Sequence, residues 1–213
     1  MTPAKALPFA AELTESMREA MDQGKGILIV LVGPSGVGKS TISNRLARED
    51  GIVYVVSATT RPREAGDENG KKYEYISREE FFHRLDADQF LEYARVHDHY
   101  YGTPRKSTLA HLAAGHDVLL EIDVQGALQI RYQYGDALLI FILPPDEPTL
   151  LRRLTDRGRD APDEIVKRYR AAKLEMHMAK GSRAFDYMVI NDSLDRAVEE
   201  IRKIIRHKKS GGI

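Results

Sequence analysis

The chain predicts an α/β fold: a mostly parallel sheet flanked by helices, with a smaller inserted lobe. Three observations lead there. Short apolar runs alternate with segments of helical periodicity, the rhythm of strand-helix-strand units. The runs are continuous rather than alternating in polarity, as strands buried on both faces are. A glycine-rich turn, Gly33-Pro34-Ser35-Gly36-Val37-Gly38-Lys39-Ser40, joins the first apolar run to the first helical segment.

The elements follow in order. Ile27–Val32 is the first strand, and a helix pattern runs from Lys39 to about Arg48. Ile52-Val53-Tyr54-Val55-Val56 reads as a buried strand ending at Ser57. Between about Thr59 and Gly115 the rhythm breaks into a stretch richer in tyrosine, histidine and charge. It contains the short piece Tyr73-Glu74-Tyr75-Ile76, then Ser77-Arg78-Glu79-Glu80, a capping box ahead of Phe81-Phe82. Strands resume over 117–123, 138–143 and 187–191, with helices over 125–132, 147–157, 163–180 and 194–207. The expected organisation is a domain over 25–207, with its core in 25–58 and 116–207 and its lobe in 59–115. A segment at 152–170 packs arginines around Gly158 and Pro162. Residues 1–24 form an extension, either a weak amphipathic helix through Leu13, Met17 and Met21 or a solvated segment. Residues 208–213 read as a disordered tail.

Composition removes several classes. Of 213 residues, 32 are basic and 32 acidic, so the chain lacks the positive excess of a nucleic-acid or polybasic membrane binder. Any anionic partner must be held by a local cluster. There is no cysteine, which excludes disulfide scaffolds, thiolate metal sites and cysteine nucleophiles. The apolar runs are too short to span a bilayer, and the acidic residues Glu12, Glu15, Glu19 and Asp22 do not suit a signal peptide. The expectation is a cytoplasmic protein with neither nucleic-acid nor membrane partner.

The glycine-rich turn fits GxxxxGK[ST], after a strand and opening a helix. Its glycines let successive backbone N–H groups converge on a phosphate at a helix N-terminus. Lys39 can bridge terminal phosphates, and the Ser40 hydroxyl can ligate the magnesium ion that accompanies them. Gly33 to Thr41 are therefore expected to bind a nucleoside triphosphate, which the resemblance below makes ATP. No Asn-Lys-x-Asp guanine box of a GTPase is present.

Six segments in order, GPSGVGKST, SATTRPREAG, NGKKYEY, FLEYARVHDHYYGT, LEIDVQGA and VINDSLD, give the chain its resemblance to a family. It resembles the nucleoside monophosphate kinases, and among them looks like a guanylate kinase, over about Gly26 to Arg206. The resemblance implies a P-loop nucleoside monophosphate kinase fold with a GMP-binding lobe and a helical lid. It implies transfer of the ATP γ-phosphoryl group to GMP, with Mg2+ as cofactor, in a monomer or homodimer. Arg61, Tyr73 and Tyr101 would bind the GMP phosphate, while Ser57, Glu92, Thr103 and Asp123 would read the guanine. Glu92 suits that task chemically, because one carboxylate accepts from the ring N–H and the exocyclic amine together, a donor pair adenine lacks. Lys39, Arg61, Arg157 and Arg168 would be catalytic, Glu121 would orient magnesium water, and Asn191 would contact adenine.

The family loop usually reads Thr-Thr-Arg-x-Pro-Arg-x-Gly. Here, aligned without a gap, Glu64 stands in the place of the second arginine and Arg63 lies one residue early. Either the loop is re-threaded so that Arg63 reaches the phosphate, or that contact is lost. The first is favoured, since two cations suit a dianion better than one. Simpler roles are expected for other residues: packing for Tyr75 and Tyr100, an exposed or packing place for His97 and His99, and ion pairing for Arg152 or Arg153. Two other functions fit parts of the pattern. A protein-binding module of the same fold would not need Lys39, Ser40 and Arg61, and a kinase for another phosphorylated acceptor would not need Ser57, Glu92 and Asp123.

Overall fold

The structure, a computed structural model, describes residues 26–63, 73–96, 98–156 and 161–211. The extension at 1–24, Glu64, His97 and Arg157 lie outside the described residues. A five-stranded parallel sheet has the order β2-β7-β1-β8-β9, from β1 (Leu28–Val32), β2 (Val53–Tyr54), β7 (Val118–Glu121), β8 (Leu138–Leu143) and β9 (Tyr187–Ile190). The central strands β1, β7 and β8 are the expected apolar runs and are buried almost throughout. The edge strand β9 differs: Met188 and Ile190 on one face are exposed, while Val189 on the other is buried.

Helices cover both faces. On one side α1 (Lys39–Asp50) and α7 (Leu194–Lys209) pack Ile42, Leu46, Val198, Ile201 and Ile205 onto Ile29, Leu31, Ile140 and Ile142. On the other, α3 (Arg105–Ala113), α4 (Val124–Gln133) and α6 (Pro162–Gly181) contribute Leu112, Ala127, Ile130 and Ala179 against Val30, Leu120 and Phe141. The remaining core-side helix, α5 (Glu147–Thr155), packs Leu150 and Leu154 on Ala172 of α6. α7 continues through Lys208 and Lys209, where a disordered tail was expected. Its apolar stripe keeps the helix on the sheet, and Lys209 Nζ pairs with Asp117 at 2.6 Å.

The expected strand over 52–57 is two. β2 ends at Tyr54, and Ser57–Thr59 forms β3 in a second sheet of order β4-β3-β6-β5. That sheet comprises β4 (Tyr73–Tyr75), β5 (Phe90–Val96) and β6 (His99–Pro104), strands unmarked in the sequence apart from β4. Its small core is Ala58, Phe81 and Phe90, with Phe81 of α2 (Arg78–Asp86) stacked on Phe90 at 4.6 Å. Ser77 caps α2 by accepting from Glu80 N, half of the expected capping box. The lobe is tied to the main sheet by Gln129 of α4, whose side-chain amide donates to Tyr93 O at 2.7 Å and accepts from Tyr93 N at 3.3 Å. These bonds satisfy the backbone N–H and carbonyl of Tyr93 on the open edge of β5.

Candidate active site

One cleft of about 720 Å³ runs between the two sheets, above the carboxyl ends of β1 and β7. Ligands gather at such ends in open α/β sheets. Its floor is the turn after β1, with Gly36 at φ 86° and Gly38 at φ 99°, values that favour glycine at both positions. Lys39 Nζ donates to the carbonyls of Gly33 and Pro34, folding back over the loop. The Ser40 hydroxyl donates to Glu121 Oε1 at 2.7 Å. Glu121 Oε2 is buried without a hydrogen bond of ordinary geometry. Hydroxyl and carboxylate oxygens side by side are the donors a hard divalent cation takes, so the pair fits magnesium.

The loop is fastened from beneath. Asn191 is buried and donates from its side-chain amide to Val37 O at 2.8 Å. Arg153 donates to the same carbonyl at 3.3 Å and to Asn191 O at 2.9 Å. A Cβ on Gly38 would lie 2.5 Å from Asn191 Nδ2. Asn191 therefore holds the loop from below and is not among the residues that line the cleft. Of Arg152 and Arg153, for one of which ion pairing was expected, Arg153 pairs with these two carbonyls.

At the other end, Glu92 is 3% exposed, and the Thr103 hydroxyl donates to its Oε1 at 2.6 Å. Glu92 and Thr103 face each other across β5 and β6, next to an irregularity in register between Phe90 and Glu92. Ser57 shares a hydrogen bond with Thr103 at 3.4 Å. The first turn of α4 comes so close that a Cβ on Gly126 would sit 2.2 Å from Glu92 Oε2. Burial, and then the nearby Asp123, push the Glu92 carboxyl up to about 8. Asp123 lies beyond β7 rather than in it: it is the N-cap of α4, accepting from Gln125 N at 2.6 Å and Gly126 N at 3.3 Å. Burial raises its pKa, while its capping bonds and Lys39 oppose the rise.

Between these ends the cleft wall carries Arg61, Arg63, Tyr73 and Tyr101. Arg63 reaches the wall despite its early place in the sequence. Tyr73 and Tyr101 meet edge to face at 5.5 Å. Arg168 of α6 also lines the cleft, paired with Glu164 at 3.7 Å, whereas Arg157 falls in the undescribed segment beside it. His99 lines the cleft too.

The sequence reading missed Glu175. Glu164, Arg168 and Glu175 follow one another at i, i+4 and i+11 and so share a face of α6, the face that closes the cleft. That spacing was visible, but nothing local distinguished this face from a solvated one. Among the described residues, no group of three histidine, aspartate or glutamate side chains is arranged to hold a metal. Nor is any described helix long and apolar enough to cross a membrane.

A family model described as guanylate kinase matches residues 25–208. The chain is 46% identical to the guanylate kinase of Caldanaerobacter subterraneus over 87% of its own length and 89% of that protein. It is 41% identical to the guanylate kinase of Thermotoga maritima over 87% of its own length and 89% of that protein. Its fold is similar to the crystal structure of guanylate kinase from Anaplasma phagocytophilum, with a TM-score of 0.70, 30% identity and 87% of each chain covered.

Proposed function

From the chain's membership of the guanylate kinase family, we propose that the cleft carries the γ-phosphoryl group of ATP to GMP, giving ADP and GDP, with its residues divided as follows. The observation that carries the division is the pairing of two unlike ends in one cleft. A glycine-rich phosphate loop lies at one end and the buried Ser57–Thr103–Glu92 chain at the other. The loop N–H groups from Gly33 to Thr41 and the Lys39 ammonium hold the ATP phosphates. Glu92 accepts from the two guanine donors, with Ser57, Thr103 and Asp123 completing the base site. Arg61, Arg63, Tyr73 and Tyr101 hold the acceptor phosphate between the two ends. A guanidinium fork matches a phosphate dianion better than a point charge does.

An oxygen of the GMP phosphate attacks the γ-phosphorus in line. The new O–P bond forms as the bond to the β–γ bridging oxygen breaks, and the electron pair leaves on ADP. Catalysis of this kind is positioning and charge stabilisation, with no covalent enzyme intermediate. Arg61, Arg168 and Arg157 supply positive charge around the transferring group, Arg157 from outside the described residues. Ser40, directly, and Glu121, through water, would hold the magnesium ion, whose chemistry is neutralisation of the β- and γ-oxygens. We further divide the molecule into core, GMP-binding lobe and a lid over 152–170, with the lid closing to exclude water.

The test is ADP release from ATP and magnesium with GMP, AMP, CMP or UMP in separate wells. Turnover with GMP alone, abolished by a magnesium chelator, is expected. Equal turnover with AMP would remove Glu92 from the base site, and ADP release without any monophosphate would remove the acceptor site itself.

A further inference from the structure

Behind the acceptor-phosphate arginines stands a residue that the cleft wall does not include. Tyr75 follows Tyr73 by two on β4, so both rings leave the same face of the strand, and they meet edge to face at 6.2 Å. Tyr73 lines the cleft and Tyr75 does not. Its hydroxyl accepts from Arg61 Nη2 at 3.2 Å. The guanidinium carbon of Arg63 lies 5.1 Å from its ring centroid, and that of Arg61 5.7 Å. One half-buried tyrosine thus touches both arginines.

We propose that Tyr75 is the positioning residue for the acceptor-phosphate site, setting Arg61 through its hydroxyl and Arg63 through its ring face. The proposal rests on the reading of this wall as the GMP phosphate site. Two guanidinium groups two residues apart repel each other until an anion arrives, and each long stem loses rotamer freedom when it settles. A fixed ring that already carries both lowers that cost. The ring also accounts for the tolerance of the early arginine. A bidentate bond from a carboxylate partner would demand one approach direction, whereas a ring face accepts a guanidinium over a broad range of positions. A one-residue shift of Arg63 along the loop then still ends on the cleft wall.

The experiment is a kinetic cycle on the full chain with Tyr75→Phe, Tyr75→Leu, Arg63→Ala and the Tyr75→Leu/Arg63→Ala double variant, measuring KM for GMP and for ATP separately. Tyr75→Phe keeps the ring and is expected to raise KM for GMP about threefold, and Tyr75→Leu about tenfold, with KM for ATP unchanged in both. Arg63→Ala is expected to cost about tenfold in KM for GMP with Tyr75 present and under about twofold in the Tyr75→Leu background. An Arg63→Ala cost that is the same in both backgrounds overturns the proposal, as does a wild-type KM for GMP in Tyr75→Leu. Should the leucine variant fail to fold, Tyr75→Phe carries the test alone, and an unchanged KM for GMP overturns it. These failures are distinct from failure of the acceptor reading, in which wild-type protein itself shows no GMP-dependent turnover.

Discussion

Glu92 is asked to do two things that oppose each other. Burial holds its proton, with the pKa pushed up to about 8, yet a carboxyl that accepts from two guanine N–H groups must be ionised. On the role proposed for Glu92, GMP binding expels a proton. KM for GMP is expected to fall as pH rises from about 7 to about 8 and to level off above, a range beyond the phosphate's own titration near 6. Glu92→Gln should flatten that profile and lower kcat/KM for GMP at least about a hundredfold, because its amide presents a donor to donors. The same shift acts on stability. The folded pKa lies above the ordinary glutamate value of 4.5, so the folded state favours the protonated carboxyl. Glu92 then weakens folding progressively as pH rises from its unfolded pKa through its folded one. Urea denaturation should show Glu92→Gln gaining on wild type between pH 5 and pH 8, about the window the shift spans. A gap that stays constant over that window would mean Glu92 is already ionised in the empty site.

Among the elements, the phosphate loop depends on a strand and a helix distant in sequence. Val37 O receives one bond from the end of β9 through Asn191 and one from α5 through Arg153. The loop's positive-φ glycines give it freedom, and these two donors take that freedom away, so the N–H groups are aimed before ATP arrives. Asn191→Ala should raise KM for ATP several-fold, leave KM for GMP near wild type, and cost about 1–3 kcal/mol for the weakened buried bonding. Loss confined to kcat, with KM for ATP intact, would count against a role in aiming the loop. Arg153 lies within 152–170, the segment proposed as the lid, and its bond to Val37 O joins that segment to the phosphate loop.

At the scale of the molecule, two separate cores matter. The lobe is held by Phe81, Phe90 and Ala58 with a rim of half-buried side chains, whereas the main sheet is packed on both faces. Less buried apolar contact means a lower opening free energy for the lobe. Hydrogen exchange is expected to release the amides of β4, β5 and β6 well before those of β1 and β8. Saturating GMP should slow the lobe selectively by adding binding energy to its closed state. Uniform protection across both sheets would show that the lobe and the core open as one unit.

How much of this was legible in the chain follows from the range of the forces involved. The phosphate loop could be read directly, because its glycines, lysine and serine are consecutive and act through backbone geometry. The central strands could be read as well, since burial on both faces leaves an unbroken apolar run. The lobe strands β5 and β6 could not, because residues of the lobe core, Phe90, Tyr93 and Tyr100, are interspersed there with Glu92, His99 and Tyr101 of the cleft wall. The tertiary structure alone decided three placements. Asn191 lies beneath the loop, Glu175 shares the cleft face of α6, and Arg63 rests on Tyr75 within the wall. Local sequence determines which groups are present and which backbone they favour. Where two distant side chains meet depends on how the sheets pack, and that is set by the sum of many contacts rather than by any one stretch of residues.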